Sequence, residues 1–303
     1  MNNFISRLQA NFRDFDFIFS AGFFFKFPWN FLLLWHVSFS CSVNIISLRI
    51  FNFHIKTRQT KPATSMEKYT TDNNIEDIVF VIGHPDDEIM FFNQVLLEIN
   101  NFKTHKLKQI NIICLTNKNT IRDHELVKSC KKLLNKHLAI LKVSVYDYLD
   151  SMNAAWNSSD VLTTINENIT PSQRPKTLII TFDEHGISNH LNHKSCFQIC
   201  KEHFQDTHVF TLKTPSFALK YSSFFILIYV QLLKMFNMYI SPNEIHFNNY
   251  HIKQWLHVVD VMCTCHKSQM VWFRWLWWIS NSLVWSCTLT KVSQHKKNIY
   301  FEK

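Results

Sequence analysis

The run Ile78-Val79-Phe80-Val81-Ile82, followed through Gly83 by His84-Pro85-Asp86-Asp87-Glu88 and then by Ile89-Met90-Phe91-Phe92, decides how this chain is read. Five consecutive β-branched or aromatic residues predict a buried parallel strand, the polar burst a tight loop, and the renewed apolar run the start of a helix. Ligands in open α/β sheets bind just beyond the carboxyl ends of strands. An imidazole and three carboxylates therefore fall where chemistry is expected.

Working outward, strands are predicted at Gln109 to Leu115, Val143 to Tyr146, Thr177 to Phe182 and Val209 to Leu212, with helical stretches between them such as Arg122 to Leu134. Alternation of strand and helix predicts an α/β fold: a Rossmann-like, mostly parallel sheet with helices on both faces, preceded by an N-terminal hydrophobic segment. The strand Thr177 to Phe182 also ends in a polar burst, Asp183-Glu184-His185-Gly186-Ile187-Ser188-Asn189-His190-Leu191-Asn192-His193. His84 and Asp87 from the first burst and His193 from the second would supply two imidazoles and a carboxylate, a ligand set for catalytic zinc that leaves room for water. Asp86, beside a ligand, is placed to act as general base. His190, three residues before His193, can share its helical face and point at an oxyanion or leaving amine. Glu88 and Asn192 are expected to orient the ligands. The same donors also accept iron, manganese or cobalt. A structural alternative is a helix N-terminus, with Pro and acidic residues in its first turn.

Composition bounds the rest. The chain has 303 residues, 32 Lys and Arg against 23 acidic residues, and a net charge of +9. Scattered basic residues among 28 Phe and 9 Trp suggest a membrane surface, and no motif suggests nucleic acid. Eight irregularly spaced Cys are read as reduced thiols. Cys263, Cys265 and His266 invite a second zinc but lack a partner pair, so buried thiols are the simpler reading. Residues 27–48 carry no Asp, Glu, Lys or Arg and suffice to cross a bilayer, yet they include Asn30, His36, Asn44 and four Ser. They read as a membrane anchor within an extension 1–65, with a non-spanning leader and a true start at Met66 as alternatives. The catalytic domain is expected at 66–303. Its aromatic segments Phe224 to Ile240 and Val271 to Trp285 read either as interfacial, membrane-proximal helices or as core helices. Asn157 and Asn168 head N-glycosylation triplets.

With these residues in hand, the chain resembles the PIG-L family of zinc de-N-acetylases over about residues 78–290. The stretch from His266 to Ser280, HKSQMVWFRWLWWIS, resembles the HxSQ and WFR blocks of its eukaryotic branch. The resemblance implies hydrolysis of the acetamide of N-acetylglucosaminyl-phosphatidylinositol, the second step of glycosylphosphatidylinositol-anchor synthesis. It implies a glycolipid substrate and an endoplasmic reticulum membrane protein with its catalytic domain facing the cytosol. His84, Asp87 and His193 match the family's metal ligands, Asp86 its base and His190 its acid or oxyanion histidine. Arg122 and Asp183 would frame the sugar, although Arg122 could instead pair with Glu125 at helical spacing. One departure stands out: the run 116–121, TNKNTI, is short and lacks the glycines the family uses there, where positive φ and close backbone approach are needed. Alternatives are a de-N-acetylase of a soluble glucosaminide, or an inactive membrane scaffold that keeps the metal site.

Overall fold

The computed structural model describes residues 65–103, 107–153, 155–236, 238, 241 and 243–293. The candidate anchor at 27–48 lies outside them, and no helix among the described residues is long and apolar enough to cross a membrane. In chain order the main elements are α1 (Met66–Asp72), β1 (Asp77–Ile82), α2 (Asp87–Met90), α3 (Asn93–Asn100), β2 (Gln109–Thr116), α4 (Ile121–Leu133), β3 (Leu141–Tyr148) and α5 (Ser158–Asn168). There follow β4 (Thr177–Phe182), α6 (Leu191–His203), β5 (His208–Leu212), α7 (Phe217–Lys220), α8 (Phe225–Met235), β6 (Glu244–Asn248), α9 (Ile252–Cys265), α10 (Trp272–Ser280) and β7 (Ser286–Lys291).

The strands form one seven-stranded sheet in the order β3-β2-β1-β4-β5-β7-β6. The first five are mutually parallel, as the sequence predicts, and β7 runs antiparallel to both β5 and β6. Every residue of β1 and β4 is buried, which is why both read as unbroken apolar runs. Strands β6 and β7 went unseen in the sequence. They are short, and β6 alternates buried and half-exposed residues, a pattern easily lost among aromatic helices. Chain order reverses between β1 and β4, so the crevice beyond their carboxyl ends is the topological switch point. Both polar bursts lie there.

Helix α4 buries Glu125, Leu126, Ser129, Cys130 and Leu133, a stripe at helical spacing. Asn168, at the end of α5, donates its side-chain amide to Tyr146 Oη at 2.7 Å and to the Thr164 carbonyl at 2.9 Å, while its Oδ1 accepts from Lys142 Nζ at 3.0 Å. A glycan on that nitrogen would take one of its two hydrogens and so break one of the bonds it donates. The second aromatic region is divided between roles. Trp275 and Trp278 of α10 are buried, whereas Trp272, Phe273 and Leu276 are exposed, so neither the core nor the interfacial alternative describes the whole segment.

Candidate metal centre and active site

Local chemistry builds each half of the site. After β1 the chain turns through Gly83, where an added Cβ would lie 2.9 Å from His193 Cδ2. Backbone N–H groups of Gly83 and His84 donate to Asp87 Oδ2 at 3.0 and 2.8 Å and fix that carboxylate. Asp86 adopts φ 150°, a positive value rare for a non-glycine residue and of the kind that concentrates at functional sites. After β4 the chain makes a kinked turn over Gly186–Asn189 in which Ile187, a β-branched residue, has φ 62°. Ile187 N donates to Thr214 Oγ1 at 3.0 Å, and Lys220 Nζ donates to the Ile187 carbonyl at 2.8 Å. These bonds hold a conformation that costs about 1–2 kcal/mol. His190 then caps α6, accepting from Asn192 N on Nδ1 at 3.2 Å, which sets His193 in the first turn.

The two loops converge. His193 Nε2 lies 3.3 Å from Asp87 Oδ2 and 3.1 Å from His84 Nδ1, and His84 Nδ1 lies 3.6 Å from Asp87 Oδ2. All three side chains are buried, and their donor atoms lie within 4.8 Å of one another. The His193 ring stacks on Phe182, 3.9 Å between centroids, and donates from Nδ1 to the Gly186 carbonyl at 3.0 Å, leaving the Nε2 lone pair aimed at the shared centre. On the far side of His84, Nε2 lies 3.2 Å from Asp150 Oδ1 and 3.3 Å from Asn192 Oδ1. A proton held there by Asp150 turns the Nδ1 lone pair inward. The donor set therefore fits a divalent cation: neutral nitrogens and a carboxylate, each oriented by an outer partner.

Electrostatics follow from this crowding. Burial disfavours the charged form of His84, yet Asp150 and Asp87 outweigh it and raise the imidazole to about 10 when no cation competes. Burial likewise opposes ionisation of Asp87, but His193 and His84 hold it well below the usual carboxylate range. Burial and the neighbouring imidazoles lower His190 to about 4, so it is neutral at pH 7. Burial raises Asp86 above its ordinary value even though Arg274 and Arg122 oppose the shift.

Other expected site residues are distributed unevenly. Arg122 reaches the site: Nη1 lies 3.2 Å from Asp150 Oδ2 and Nη2 3.6 Å from Asp86 Oδ1, with a bond to the Pro85 carbonyl at 3.3 Å. The alternative pairing with Glu125 does not form, because Glu125 accepts from Ser268 N at 2.8 Å and Ser268 Oγ at 2.5 Å. Asp183 is committed to its own loop. Its carboxylate accepts from Thr214 N and Thr214 Oγ1, both at 2.6 Å, and from His185 N and Gly186 N at 3.1 and 3.0 Å, which makes it an anchor for the second burst. Asn192 meets His84 as expected, but Glu88 turns away and bonds His266 Nε2 at 2.6 Å, with both residues fully buried. His266 is thus occupied, and among the described residues the two groups of donors close enough to share a cation, His84 with Asp87 and His193 and His84 with Asp150 and His190, include neither Cys263 nor Cys265.

Two contributors were missed in the sequence. Asp150 follows β3, another carboxyl end in the parallel sheet, and that position was its available signal. Arg274 comes from α10, and its Nη2 lies 2.7 Å from Asp86 Oδ2 while Nη1 contacts Met90 Sδ. Its available signal was the Trp272-Phe273-Arg274 block that carries the family resemblance, which gave the residue no role. The glycine-free loop after β2 also has an explanation: Asn117 and Asn119 adopt φ 66° and 60°, the left-handed region that asparagine tolerates better than most residues. Asn117 Nδ2 further donates to Asp150 Oδ2 at 3.0 Å, tying that loop to the site.

A parallel sheet whose switch point gathers two imidazoles and a carboxylate defines the class: an α/β protein with a candidate divalent-metal centre. The family described as PIG-L, GlcNAc-PI de-N-acetylase, matches residues 79–204. The N-acetylglucosaminyl-phosphatidylinositol de-N-acetylase of Saccharomyces cerevisiae is 32% identical over 242 residues, covering 69% of this chain and 79% of that protein. A Schizosaccharomyces pombe protein, named as a probable enzyme of the same description, is 33% identical over 211 residues, covering 67% and 82%. Among solved structures, a deacetylase of the teicoplanin biosynthetic pathway overlays with a TM-score of 0.47 at 11% identity, covering 73% of this chain and 99% of that one. The chain belongs to the PIG-L family of de-N-acetylases.

Proposed function

We propose that the chain hydrolyses the N-acetyl group of N-acetylglucosaminyl-phosphatidylinositol, releasing acetate and glucosaminyl-phosphatidylinositol, with a divalent cation held by His84, Asp87 and His193. The observation that carries this reading is the meeting of those three buried side chains, from two strand ends, within 4.8 Å. Zinc suits two imidazoles and a carboxylate; bound there, it would polarise the acetamide carbonyl and lower the pKa of a water to ~7. The glycolipid substrate follows from the names of the fungal relatives. It carries with it the endoplasmic reticulum membrane as location, a cytosol-facing catalytic domain at 66–303, and a tethering role for residues 1–65.

Asp86 is the general base. Burial raises its proton affinity, and Arg274 fixes one carboxylate oxygen at 2.7 Å, so its other oxygen is oriented to take a proton from water and later return it to the departing amine nitrogen. His190 is the oxyanion partner. Its Nδ1 accepts from Asn192 N, which leaves the neutral ring's proton on Nε2 as a donor. Arg122, between Asp86 and Asp150, is a contact for sugar or phosphate oxygens. The backbone freedom that glycine would give the loop after β2 is supplied by Asn117 and Asn119, which favours an active enzyme over an inactive scaffold.

The test is release of acetate from the glycolipid by the full chain in bilayers supplied with zinc. Asp86→Asn is expected to lower kcat by about 10²–10⁴-fold with metal content unchanged, the range for loss of a general base. Absence of turnover by the unaltered chain with any divalent metal overturns the proposal.

A further inference from the structure

Helix α8 has two apolar faces. Ile226, Leu227 and Val230 are buried, while Phe225, Ile228, Tyr229, Leu232 and Met235 are exposed at i, i+3, i+4, i+7 and i+10, a continuous stripe along the other side. Phe236 and Met238 extend it at 70% and 72% exposure. Helix α10 repeats the arrangement, burying Trp275 and Trp278 and exposing Trp272, Phe273 and Leu276. The two helices are joined end to end: Ser223, just before α8, donates from N to the Ser280 carbonyl at 2.8 Å and from Oγ to the Ile279 carbonyl at 2.6 Å.

Helix α10 and the exposed end of α7 connect directly to the site. Arg274, on α10, reaches Asp86, and Lys220, beside exposed Phe217 and Tyr221, reaches the Ile187 carbonyl. Ile187 adjoins Gly186, whose carbonyl accepts from His193. Charge selects the occupant. In sequence no Asp or Glu occurs between Thr207 and Asn243 or between Val261 and Phe301, whereas Lys220, Lys234, Lys267 and Lys291 do; Lys213 and Arg274, in the same stretches, are paired with Glu244 and Asp86. Large apolar side chains without acidic neighbours, flanked by cations, suit an anionic phospholipid surface. With 11 and 9 residues, α8 and α10 are too short to cross a hydrocarbon core of roughly 30 Å and can only lie along it.

We propose that the exposed stripes of α8 and α10 dock this part of the chain on a phospholipid bilayer, so that the site opens at the membrane surface and takes the substrate's sugar while its acyl chains stay in lipid. The inference rests on the glycolipid reading above.

Two measurements on the full chain in phosphatidylcholine bilayers containing phosphatidylinositol test it. Nitroxide labels introduced through Leu232→Cys and Leu276→Cys are expected to be more accessible to oxygen than to a water-soluble relaxation agent, with the reverse for Asp160→Cys as an exposed polar control. The double variant Leu232→Asp, Leu276→Asp is expected to slow turnover of the long-chain glycolipid by about tenfold or more, the scale of losing burial of two leucines, and to leave a chain-free soluble analogue within about twofold. Water-type accessibility at both labels, or low accessibility to both agents as a self-associating or protein-covered face would give, overturns the proposal. So does an equal loss on both substrates, or a loss on neither. Because the labels report without turnover, an inactive unaltered chain would sink the functional reading while leaving the docking face to be judged by them.

Discussion

The candidate metal cluster and the guanidinium pair beside it sit a single residue apart in sequence at Asp86 and Asp87, yet they are assembled in different ways. His84, Asp87 and His193 come from the ends of adjacent strands β1 and β4, and backbone bonds from Gly83, His84 and Gly186 hold them. Arg122 and Arg274 arrive from helices far apart in the chain, and only their side chains reach Asp86. One group is fixed by the sheet and the other by helix packing. Damage to the first should therefore abolish metal binding, and damage to the second should leave the cation in place while altering the base.

The largest effect is expected from His193→Ala. It should remove the bound metal and lower kcat/KM by about a thousandfold or more, the scale of losing an electrostatic stabiliser of the transition state. Metal analysis alongside the glycolipid assay checks it, and a variant that kept full metal occupancy would break the contrast between the two groups. A smaller effect, about tenfold to a hundredfold in kcat, is expected from Arg274→Met with metal content unchanged. Loss of that positive charge pushes Asp86 further up, so the acid limb of the pH profile of kcat should move to higher pH. A fall in rate without that movement would show that Arg274 acts on something other than the base.

The smallest signal is in the pH dependence of stability. In the metal-free chain His84 is raised above its ordinary 6.5 to about 10, so its contribution is complete below about pH 6.5 and is lost as pH rises through about 10. His190 is lowered to about 4, so its contribution is present above about pH 6.5 and is lost as pH falls through about 4. Thermal melts of the chelated protein should decline on both sides of neutrality. Metal requires neutral His84, so loading at neutral pH should release a proton and flatten the alkaline decline. Equal alkaline decline with and without metal would remove His84 from the ligand set.

Much of the fold was legible because parallel strands buried on both faces carry apolar runs that end abruptly in polar loops. Strand Thr177 to Phe182 matches its expected bounds, and Ile78 to Ile82 falls one residue short of the start of β1. Strands β6 and β7 were not legible, since an edge strand with alternating burial has no such run. In the site, the His84, Asp87 and His193 grouping could be read because each residue lies in a polar burst that directly follows a buried strand. Asp150 and Arg274 were not read into it, because Asp150's place after β3 and Arg274's place in the Trp272-Phe273-Arg274 block do not show which side chain each meets. Asp183 shows the same limit: its bonds to Thr214, which only the tertiary structure displays, could not be read from a carboxylate placed after a strand.

Sequence alone determined the five parallel strands, the two loops at their switch point and the three side chains those loops bring together, because strand burial and chain connectivity act through near neighbours and leave a periodic trace. Tertiary structure decided which charged groups surround those donors. It put Asp150 behind His84, Arg274 against Asp86 and His266 against Glu88, and it divided the aromatic helices into a buried and an exposed face. Such choices depend on how distant helices pack and on the cost of leaving a buried charge unpaired, and neither quantity is written into any short stretch of residues.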